Sequence, residues 1–372
     1  MKRVGITGQN GFVGTHLYNT LGLNPEDYQR IEFEKEFFHQ PQELDNFVKQ
    51  CDVIVHLAAM NRHPDPEVIY SQNIGLVNNL VAALERTGSK AYVLFSSSSQ
   101  EERDNLYGKS KKEGRKLFTE WAKNSSGKFT GMIIPNVFGP FGQPYYNSFI
   151  ATFCHQLSHG ESPVIDTDGE VKLIYVAELV QEILNQIKNA QTQEEYVVPF
   201  TTSVKVSEVL DQLVNYKNLY FTNGEVPELK SEFDLQLFNT FRCSFNIANH
   251  YPVKLTQHTD PRGAFVEVIR LGIGGQCSFS TTVPGITRGN HFHTRKIERF
   301  TVIKGKALIQ LRRIGTEEVF DFYLDGNEPA YVDMPIWYTH NIKNIGEEEL
   351  LTIFWINEAY NQENPDTYFE TI

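Results

Sequence analysis

The chain has 372 residues, a formal net charge of -12 and a sequence pI near 5.4. This acidic balance argues against a nucleic-acid-binding protein, which usually carries a basic face. Apolar runs stay short of the ~18 residues that cross a bilayer, and the N-terminus lacks the apolar region of a signal peptide. The four cysteines form no C-x-x-C pair, so neither a disulfide framework nor a cysteine-rich metal site is indicated. We therefore expect a cytoplasmic protein of two or three domains, with neither nucleic acid nor membrane as a partner.

A glycine-rich turn follows the first apolar strand. Gly8, Gly11 and Gly14 lie between this strand and a helical pattern. Glycines at this spacing allow a tight turn and a close approach of the backbone to a pyrophosphate, so the turn predicts dinucleotide binding. Glu34 stands where an acidic residue often binds the ribose of NAD, but Lys35 follows it and could face the ribose phosphate of NADP. The sequence leaves this choice open.

Strands and helices continue to alternate through the first two-thirds of the chain. Apolar strands are predicted at 52–59, 91–95 and 131–134, and residues 73–84 have apolar side chains at helical spacing. Alternation of this kind is typical of a doubly wound, parallel α/β sheet. Such sheets bind ligands at the carboxyl ends of their strands.

The stretch from 96 to 111 follows the central strand and carries candidate catalytic groups. Tyr107 and Lys111 are four residues apart, so on a helix they share one face. A phenol is a poor acid or base near neutral pH, and a neighbouring ammonium group is expected to lower its pKa. Ser98, at the end of the strand, could hold a substrate oxygen in line with the phenol. Asn136 follows the next strand and could equally cap a turn.

Together these motifs resemble the extended short-chain dehydrogenases/reductases that act on nucleotide sugars. The resemblance implies a Rossmann-like fold and makes Ser98, Tyr107 and Lys111 the catalytic residues. It places Asn136 at the substrate, and it assigns cofactor contacts to Gly8, Gly11, Phe12, Gly14, Leu57, Ala58 and Lys111. One departure is that only nine positions separate Ser98 from Tyr107. This spacing is shorter than in the epimerases and dehydratases of the family and predicts a differently shaped substrate pocket.

The last third has a different pattern, with short alternating strands and Gly or Pro turns that predict an all-β barrel. We place the domain boundary between residues 245 and 246, which gives domains of 1–245 and 246–372. Predicted strands are Ala264–Leu271, Gln276–Thr282, Arg299–Ile303, Ala307–Leu311, Glu318–Tyr323, Ala330–Asp333 and Leu350–Ile356.

Three histidines and a glutamate in this region predict a metal site. His291 and His293 are two apart, so on a strand they point to the same side, and Glu298 and His340 supply two further ligands. This N/O set suits Zn²⁺, with Fe, Mn or Ni as alternatives. The spacing resembles the cupin motif G-x5-H-x-H-x4-E-x6-G at every position. The resemblance implies that the four residues are the metal ligands.

Two segments, 260–267 and 288–291, also resemble the dTDP-4-keto-6-deoxyhexose 3,5-epimerases, which use a histidine base where His291 stands. A metal-bound His291 cannot also be a free base. Tyr338 and Tyr331 are then candidates for the base, or a metal could polarise the C4 ketone and acidify the C3 proton directly.

The order of the two domains resembles the bifunctional enzymes of capsular polysaccharide assembly. That resemblance implies a homodimer that takes a UDP-sugar and NADPH. The barrel would invert C3 of a UDP-2-acetamido-2,6-dideoxy-4-keto-hexose, and the reductase domain would then reduce C4 to give UDP-2-acetamido-2,6-dideoxy-L-talose. The alternatives are a UDP-sugar 4-epimerase with an accessory cupin, or a non-catalytic sugar-binding or dimerisation module.

Overall fold

A computed structural model describes residues 1–260, 263–266, 268–269, 274–358 and 361–372 of the chain. The chain forms two compact units. The first contains Met1–Thr152 and Ile165–Ser207, and the second contains Phe153–Val164 and Glu208–Ile372. The predicted strand Ala264–Leu271 and the segment 260–267 lie partly outside the described residues. No helix of the described part is both long and apolar enough to cross a membrane.

The first unit is built from alternating strands and helices. Its strands are β1 (Lys2–Thr7), β2 (Tyr28–Ile31), β3 (Val53–His56), β4 (Tyr92–Ser98), β5 (Lys128–Ile134), β6 (Asn136–Phe138), β7 (Glu170–Tyr175), β8 (Gln193–Val197) and β9 (Thr202–Lys205). Its helices are α1 (Phe12–Gly22), α2 (Pro41–Gln50), α3 (Pro66–Thr87), α4 (Leu106–Asn124) and α6 (Val176–Asn189). The chain passes into the second unit within α5 (Phe149–Ser158).

The predicted doubly wound sheet is confirmed. Six parallel strands lie in the order β2-β1-β3-β4-β5-β8, and β6, β7 and β9 form a separate small sheet. Successive side chains of a strand face opposite sides of the sheet. Val53 and Val55 therefore belong to one hydrophobic core with α1 and α6, whereas Ile54 belongs to a second core with α2, α3 and α4. Helices cover both faces and leave the strand ends for ligands.

The second unit contains the antiparallel β structure that the sequence predicted. Two five-stranded sheets have the orders β10-β18-β15-β20-β13 and β17-β16-β19-β14-β21, and β11 pairs with β12. The strands are β10 (Val253–Lys254), β11 (Gln257–Asp260), β12 (Gly263–Val266), β13 (Gln276–Thr282), β14 (Thr287–Phe292), β15 (Glu298–Lys304), β16 (Lys306–Arg313), β17 (Val319–Asp325), β18 (Ala330–Met334), β19 (Tyr338–Asn344), β20 (Leu350–Ile356) and β21 (Tyr368–Phe369).

Three helices precede this β structure in the chain: α7 (Val206–Tyr216), α8 (Glu232–Arg242) and α9 (Ile247–His250). Residues 208–245 belong to the same compact unit as the strands. Contacts with β18 give the reason, because Arg242 donates to the carbonyl oxygen of Met334 (2.8 Å) and Tyr220 donates to the carboxylate of Asp333. In the chain, the second compact unit thus begins before residue 246. The domain boundary between residues 245 and 246 stays a prediction.

Candidate active site and metal centre

The glycine-rich turn forms a cradle between β1 and α1. Gly8 has φ +78°, in the left-handed region. A Cβ at this position would lie only 2.9 Å from the Ala58 nitrogen. A Cβ on Gly14 would lie 2.2 Å from the carbonyl oxygen of Gly8, which instead accepts a hydrogen bond from Gly11 N (3.0 Å). Only glycine fits these positions. The bare backbone at the start of α1 therefore suits a dinucleotide pyrophosphate.

The other predicted cofactor residues lie at the same edge of the sheet. Phe12 is the first residue of α1. Leu57 and Ala58 directly follow β3, and Leu57 N donates to the carbonyl oxygen of Thr7 (3.1 Å), which ties this strand end to the glycine turn. After β2, Glu34 is exposed and the Lys35 ammonium lies 3.8 Å from a carboxylate oxygen of Glu36.

The serine, tyrosine and lysine come together at the end of β4. Asn105 caps α4 by accepting from Gly108 N (2.7 Å), so Tyr107 lies in the first turn of the helix and Lys111 one turn later. The Ser98 hydroxyl accepts from Gln100 N (3.2 Å) and lies near enough to the Tyr107 phenol to affect its pKa. The Lys111 ammonium donates to the carbonyl oxygen of Ser96 (2.8 Å) and lies 5.7 Å from the centre of the Tyr107 ring.

The short spacing from Ser98 to Tyr107 also has a structural explanation. A 3-10 turn, Ser99–Glu102, follows β4 at once. A Cβ on Gly108 would lie 2.1 Å from the carbonyl oxygen of Gln100, so the start of α4 packs directly on this turn. Nine positions are therefore enough to return the chain to the strand end.

Burial controls the charges of the two titratable groups. It raises the pKa of Tyr107 to about 12, with Tyr146 adding to the effect and the Ser98 hydroxyl opposing it. Burial also lowers the pKa of Lys111 to about 8, against a smaller opposing effect of Glu101. The expectation that an ammonium neighbour makes the phenol more acidic is therefore not met, because desolvation is the larger effect. At neutral pH the phenol is protonated and can donate.

Sequence reasoning missed several polar residues around these groups. The Tyr146 hydroxyl accepts from Asn61 N (3.2 Å), and the Asn73 side chain bonds both to Met60 N (2.7 Å) and to the Met60 carbonyl oxygen (3.0 Å). Both contacts hold the loop after β3. Only the three-dimensional structure joins these positions, because they are far apart in the chain.

Asn136 is exposed at the start of β6, and its side-chain amide donates to the carbonyl oxygen of Lys172 (3.4 Å). Its role at the substrate stays a prediction.

The four predicted metal ligands form one cluster in the second unit. A ligand atom from each of His291, His293, Glu298 and His340 lies within 4.8 Å of the others. Strand pairing explains the convergence, since β14 and β19 place His291 opposite His340. Glu298 begins β15 and brings Oε2 to 3.1 Å from His293 Nε2 and 3.2 Å from His340 Nε2.

Hydrogen bonds determine which ring nitrogens face the centre. His293 Nδ1 donates to the carbonyl oxygen of Asp366, and His340 Nδ1 donates to that of Tyr338 (3.3 Å). Carbonyl oxygens only accept, so Nδ1 of each ring carries a proton, and Nε2 is the nitrogen that faces the centre of the cluster. His340 Nε2 is buried and makes no hydrogen bond within the described part of the chain.

Electrostatics at the cluster favour a cation. Burial raises the pKa of Glu298, but His293 and His340 beside it outweigh burial and hold that pKa well below its usual range. Burial, followed by the neighbouring histidines, lowers the pKa of His291 to about 4, so this ring is neutral at pH 7. A carboxylate and imidazole lone pairs that converge in a buried space match the ligand set of Zn²⁺.

The structure contradicts one candidate for the epimerisation base. In the pairing of β15 with β18, Tyr331 lies opposite Thr301, on the other face of the sheet from Glu298. Its ring instead packs 3.7 Å from the Arg299 guanidinium. Tyr331 is therefore wrong as a base beside the metal ligands.

Tyr338 shares a strand face with His340, but burial raises the pKa of its phenol to about 12, with Cys243 and Arg313 nearby. A phenol of this kind stays protonated at neutral pH, which disfavours Tyr338 as a base too.

The sequence matches two known protein families and a curated relative. Residues 4–198 match the NAD dependent epimerase/dehydratase family, and residues 258–368 match the polysaccharide biosynthesis C-terminal domain. The UDP-2-acetamido-2,6-beta-L-arabino-hexul-4-ose reductase of Pseudomonas aeruginosa is 31% identical over 374 residues, covering 98% of each chain.

Solved structures extend the likeness. The capsular polysaccharide assembling protein CapF from Staphylococcus aureus is 33% identical, with a TM-score of 0.63 and coverage of 100% of both chains. RMD from Pseudomonas aeruginosa, solved with NADPH, is 22% identical with a TM-score of 0.53 over 59% of this chain and 83% of its own, and supports the fold of the first unit. The chain therefore belongs to the NAD dependent epimerase/dehydratase family, and its last third matches the polysaccharide biosynthesis C-terminal domain.

Proposed function

We propose that the protein is a bifunctional nucleotide-sugar enzyme. The second unit inverts C3 of a UDP-2-acetamido-2,6-dideoxy-4-keto-hexose, and the first unit then reduces C4 to give UDP-2-acetamido-2,6-dideoxy-L-talose. The observation that carries the reduction is the meeting of Ser98, Tyr107 and Lys111 at the strand edge that also holds the glycine cradle. The 4-keto sugar is the substrate class named for the Pseudomonas aeruginosa relative, and capsule synthesis is the process named for CapF.

In the reduction, NADPH bound at the glycine cradle would supply the hydride for C4 of the sugar. The Ser98 hydroxyl holds the ketone oxygen, and the Tyr107 phenol donates the proton as negative charge develops on that oxygen. Lys111, held by Ser96, keeps a positive charge beside the phenol and orders the nicotinamide ribose. A phenol that is protonated at neutral pH suits a proton donor, which the reductive direction requires.

In the epimerisation, a bound divalent ion would supply Lewis acidity to the C4 ketone and acidify the C3 proton. Solvent water would then take this proton from one face of the sugar and return a proton to the other face. His291, His293, Glu298 and His340 would hold this ion through three nitrogens and one oxygen. Inversion precedes reduction because the ketone that activates C3 disappears once C4 is reduced. The resemblance to capsular enzymes implies a homodimer, and we propose this state here. Light scattering of the full chain tests it.

The charges after β2 set the discrimination between NADPH and NADH. Lys35 is the cation available to a ribose phosphate, and its side chain is 90% exposed. A contact of this exposure contributes at most about 1 kcal/mol, or roughly fivefold in affinity. Glu32 and Glu34, also exposed here, suit the ribose hydroxyls of NADH. We propose NADPH as the preferred donor on the presence of Lys35. Because the two carboxylates oppose this preference, dissociation constants for the two cofactors should lie within about tenfold by fluorescence titration.

The decisive experiment compares the wild type with Tyr107→Phe, using UDP-4-keto sugar and NADPH. Loss of the phenolic proton should lower kcat by about 10²- to 10⁴-fold, while NADPH binding stays unchanged. Full turnover by Tyr107→Phe would remove this residue from the reaction. Net consumption of NADPH also separates a reductase from a 4-epimerase, which returns its cofactor to the starting state.

The epimerisation is tested separately in heavy water. Without NADPH the wild type should exchange the C3 hydrogen of the keto sugar for deuterium, and His293→Ala should lower both this exchange and the bound metal. Absence of exchange in the metal-loaded wild type would leave the second unit as a sugar-binding or dimerisation module.

A further inference from the structure

The C-terminal segment, residues 364–372, packs against β14, the strand that carries His291 and ends one residue before His293. Its strand β21 pairs with β14, with Phe369 opposite His291 and Tyr368 opposite Phe292. The Tyr368 ring stacks on the Phe292 ring at 5.3 Å between centroids. Glu370 N donates to the carbonyl oxygen of Asn290 (2.9 Å). The segment is therefore part of the sheet that presents the ligands.

The Asp366 carboxylate anchors this segment through four hydrogen bonds. Its side chain is fully buried, and Oδ1 accepts from Thr294 N (3.0 Å) and Thr294 Oγ1 (2.6 Å). Oδ2 accepts from Arg295 N (3.0 Å) and Lys296 N (3.1 Å). The carboxylate thus binds three consecutive backbone amides in the loop between His293 and Glu298.

The backbone of Asp366 contacts the metal cluster directly, because its carbonyl oxygen accepts the proton of His293 Nδ1. Asp366 has φ +42°, in the left-handed region. For a residue other than glycine this conformation is unfavourable, so surrounding contacts must offset its cost. The carboxylate contacts with the 294–296 loop supply that restraint. They hold the carbonyl oxygen where it fixes both the tautomer and the orientation of the imidazole.

We infer that Asp366 is a positioning residue for the proposed metal centre: its carboxylate ties the C-terminal segment to the 294–296 loop, so that its carbonyl oxygen keeps His293 Nε2 directed at the metal. The inference rests on the proposed metal function of the cluster. Groups that orient metal-bound histidines in this way typically change metal affinity by about 10- to 100-fold when removed. Asp366 and His293 are 73 residues apart in the chain.

The test measures zinc affinity of the full-length protein by competition with a chromophoric chelator. Asp366→Ala removes both carboxylate oxygens and should weaken zinc binding about 100-fold. Asp366→Asn keeps one acceptor oxygen and should weaken it about tenfold. Glu363→Gln is the matched control, because this exposed residue directly before the segment should leave affinity unchanged. NADPH binding reports on the first unit and should be the same in all four proteins.

A spectroscopic readout separates positioning from general loosening of the fold. In the Co²⁺-loaded protein, Asp366→Asn should alter the d–d absorption, and the ¹⁵N shifts of His293 should lose the pattern of a fixed Nδ1–H tautomer. Wild-type zinc affinity in both Asp366 variants would overturn the inference while leaving the metal centre in place. Failure of the wild type itself to bind zinc would instead overturn the metal centre, and the inference with it. If Asp366→Ala does not fold, the result for Asp366→Asn decides.

Discussion

A buried ion pair behind the proposed catalytic residues offers a sharp test of how the candidate active site is held. Arg115 Nη2 lies 2.7 Å from Glu101 Oε2, and the two side chains are 7% and 2% exposed. Arg115 Nε also donates to Glu101 Oε1 (3.0 Å), which accepts from the Ser97 hydroxyl as well. Tyr107, Lys111 and Arg115 are four residues apart in turn, so they share one face of α4. The pair thus fastens that face to the turn that follows Ser98.

Replacing Arg115 with Met keeps most of the aliphatic stem and removes the charge. Breaking a buried pair in this way costs about 3–5 kcal/mol, because the partner carboxylate stays buried without compensation. Small displacement of Tyr107 against Ser98 should also lower kcat by about 10- to 100-fold.

Unfolding of the first unit can be followed separately. Trp121 is buried on α4, and the other two of the three tryptophans, Trp337 and Trp355, lie in the second unit. In a background with both of these changed to Phe, urea unfolding monitored by fluorescence reports on Trp121.

The control variant is Lys109→Met, because Lys109 pairs with Asp104 on the exposed surface of the same helix and should cost no more than about 1 kcal/mol. Adding Glu101→Gln to Arg115→Met should restore part of the loss. A loss below about 1 kcal/mol for Arg115→Met would refute the reasoning.

Three further predictions concern the cradle, the lysine and the second unit. Gly14→Ala forces a Cβ against the carbonyl oxygen of Gly8 and should weaken NADPH binding at least tenfold by titration, with folding of the second unit unchanged. Because burial lowers the pKa of Lys111 to about 8, its charge is present below that pH and lost above it, so kcat/KM should fall as pH rises past 8, and a flat profile to pH 10 would contradict the role of the ammonium. Burial acts to raise the pKa of Asp333, but the ion pair with Arg299 outweighs burial and lowers this pKa overall. The carboxylate therefore adds stability above its ordinary pKa near ~3.9, and this stability is lost in stronger acid. Asp333→Asn should accordingly cost the second unit about 3–5 kcal/mol at pH 7 in urea unfolding, and a cost that persists undiminished in strong acid would contradict the assignment.

Local patterns in the sequence were sufficient for much of the fold and for the candidate residues. The glycine turn, the alternation of strands and helices, and the H-x-H spacing all act over a few residues, where backbone sterics and side-chain periodicity leave few choices. These patterns predicted the sheet, most strands of the second unit and the four members of the metal cluster. They did not predict β14 and β19 as strands, although these carry His291 and His340.

Tertiary structure decided what depends on burial, on register and on contacts between distant parts of the chain. Desolvation reversed the expected direction of the Tyr107 pKa, and no sequence pattern reports how deeply a phenol will be covered. Register placed Tyr331 on the far face of its strand, since a shift of one residue exchanges the two faces. Asp366 reaches His293, and Arg115 reaches Glu101, only because folding joins these segments. The sequence by itself determined which chemical groups are present and their local geometry, whereas the surroundings that set their charge and direction exist only in the folded chain.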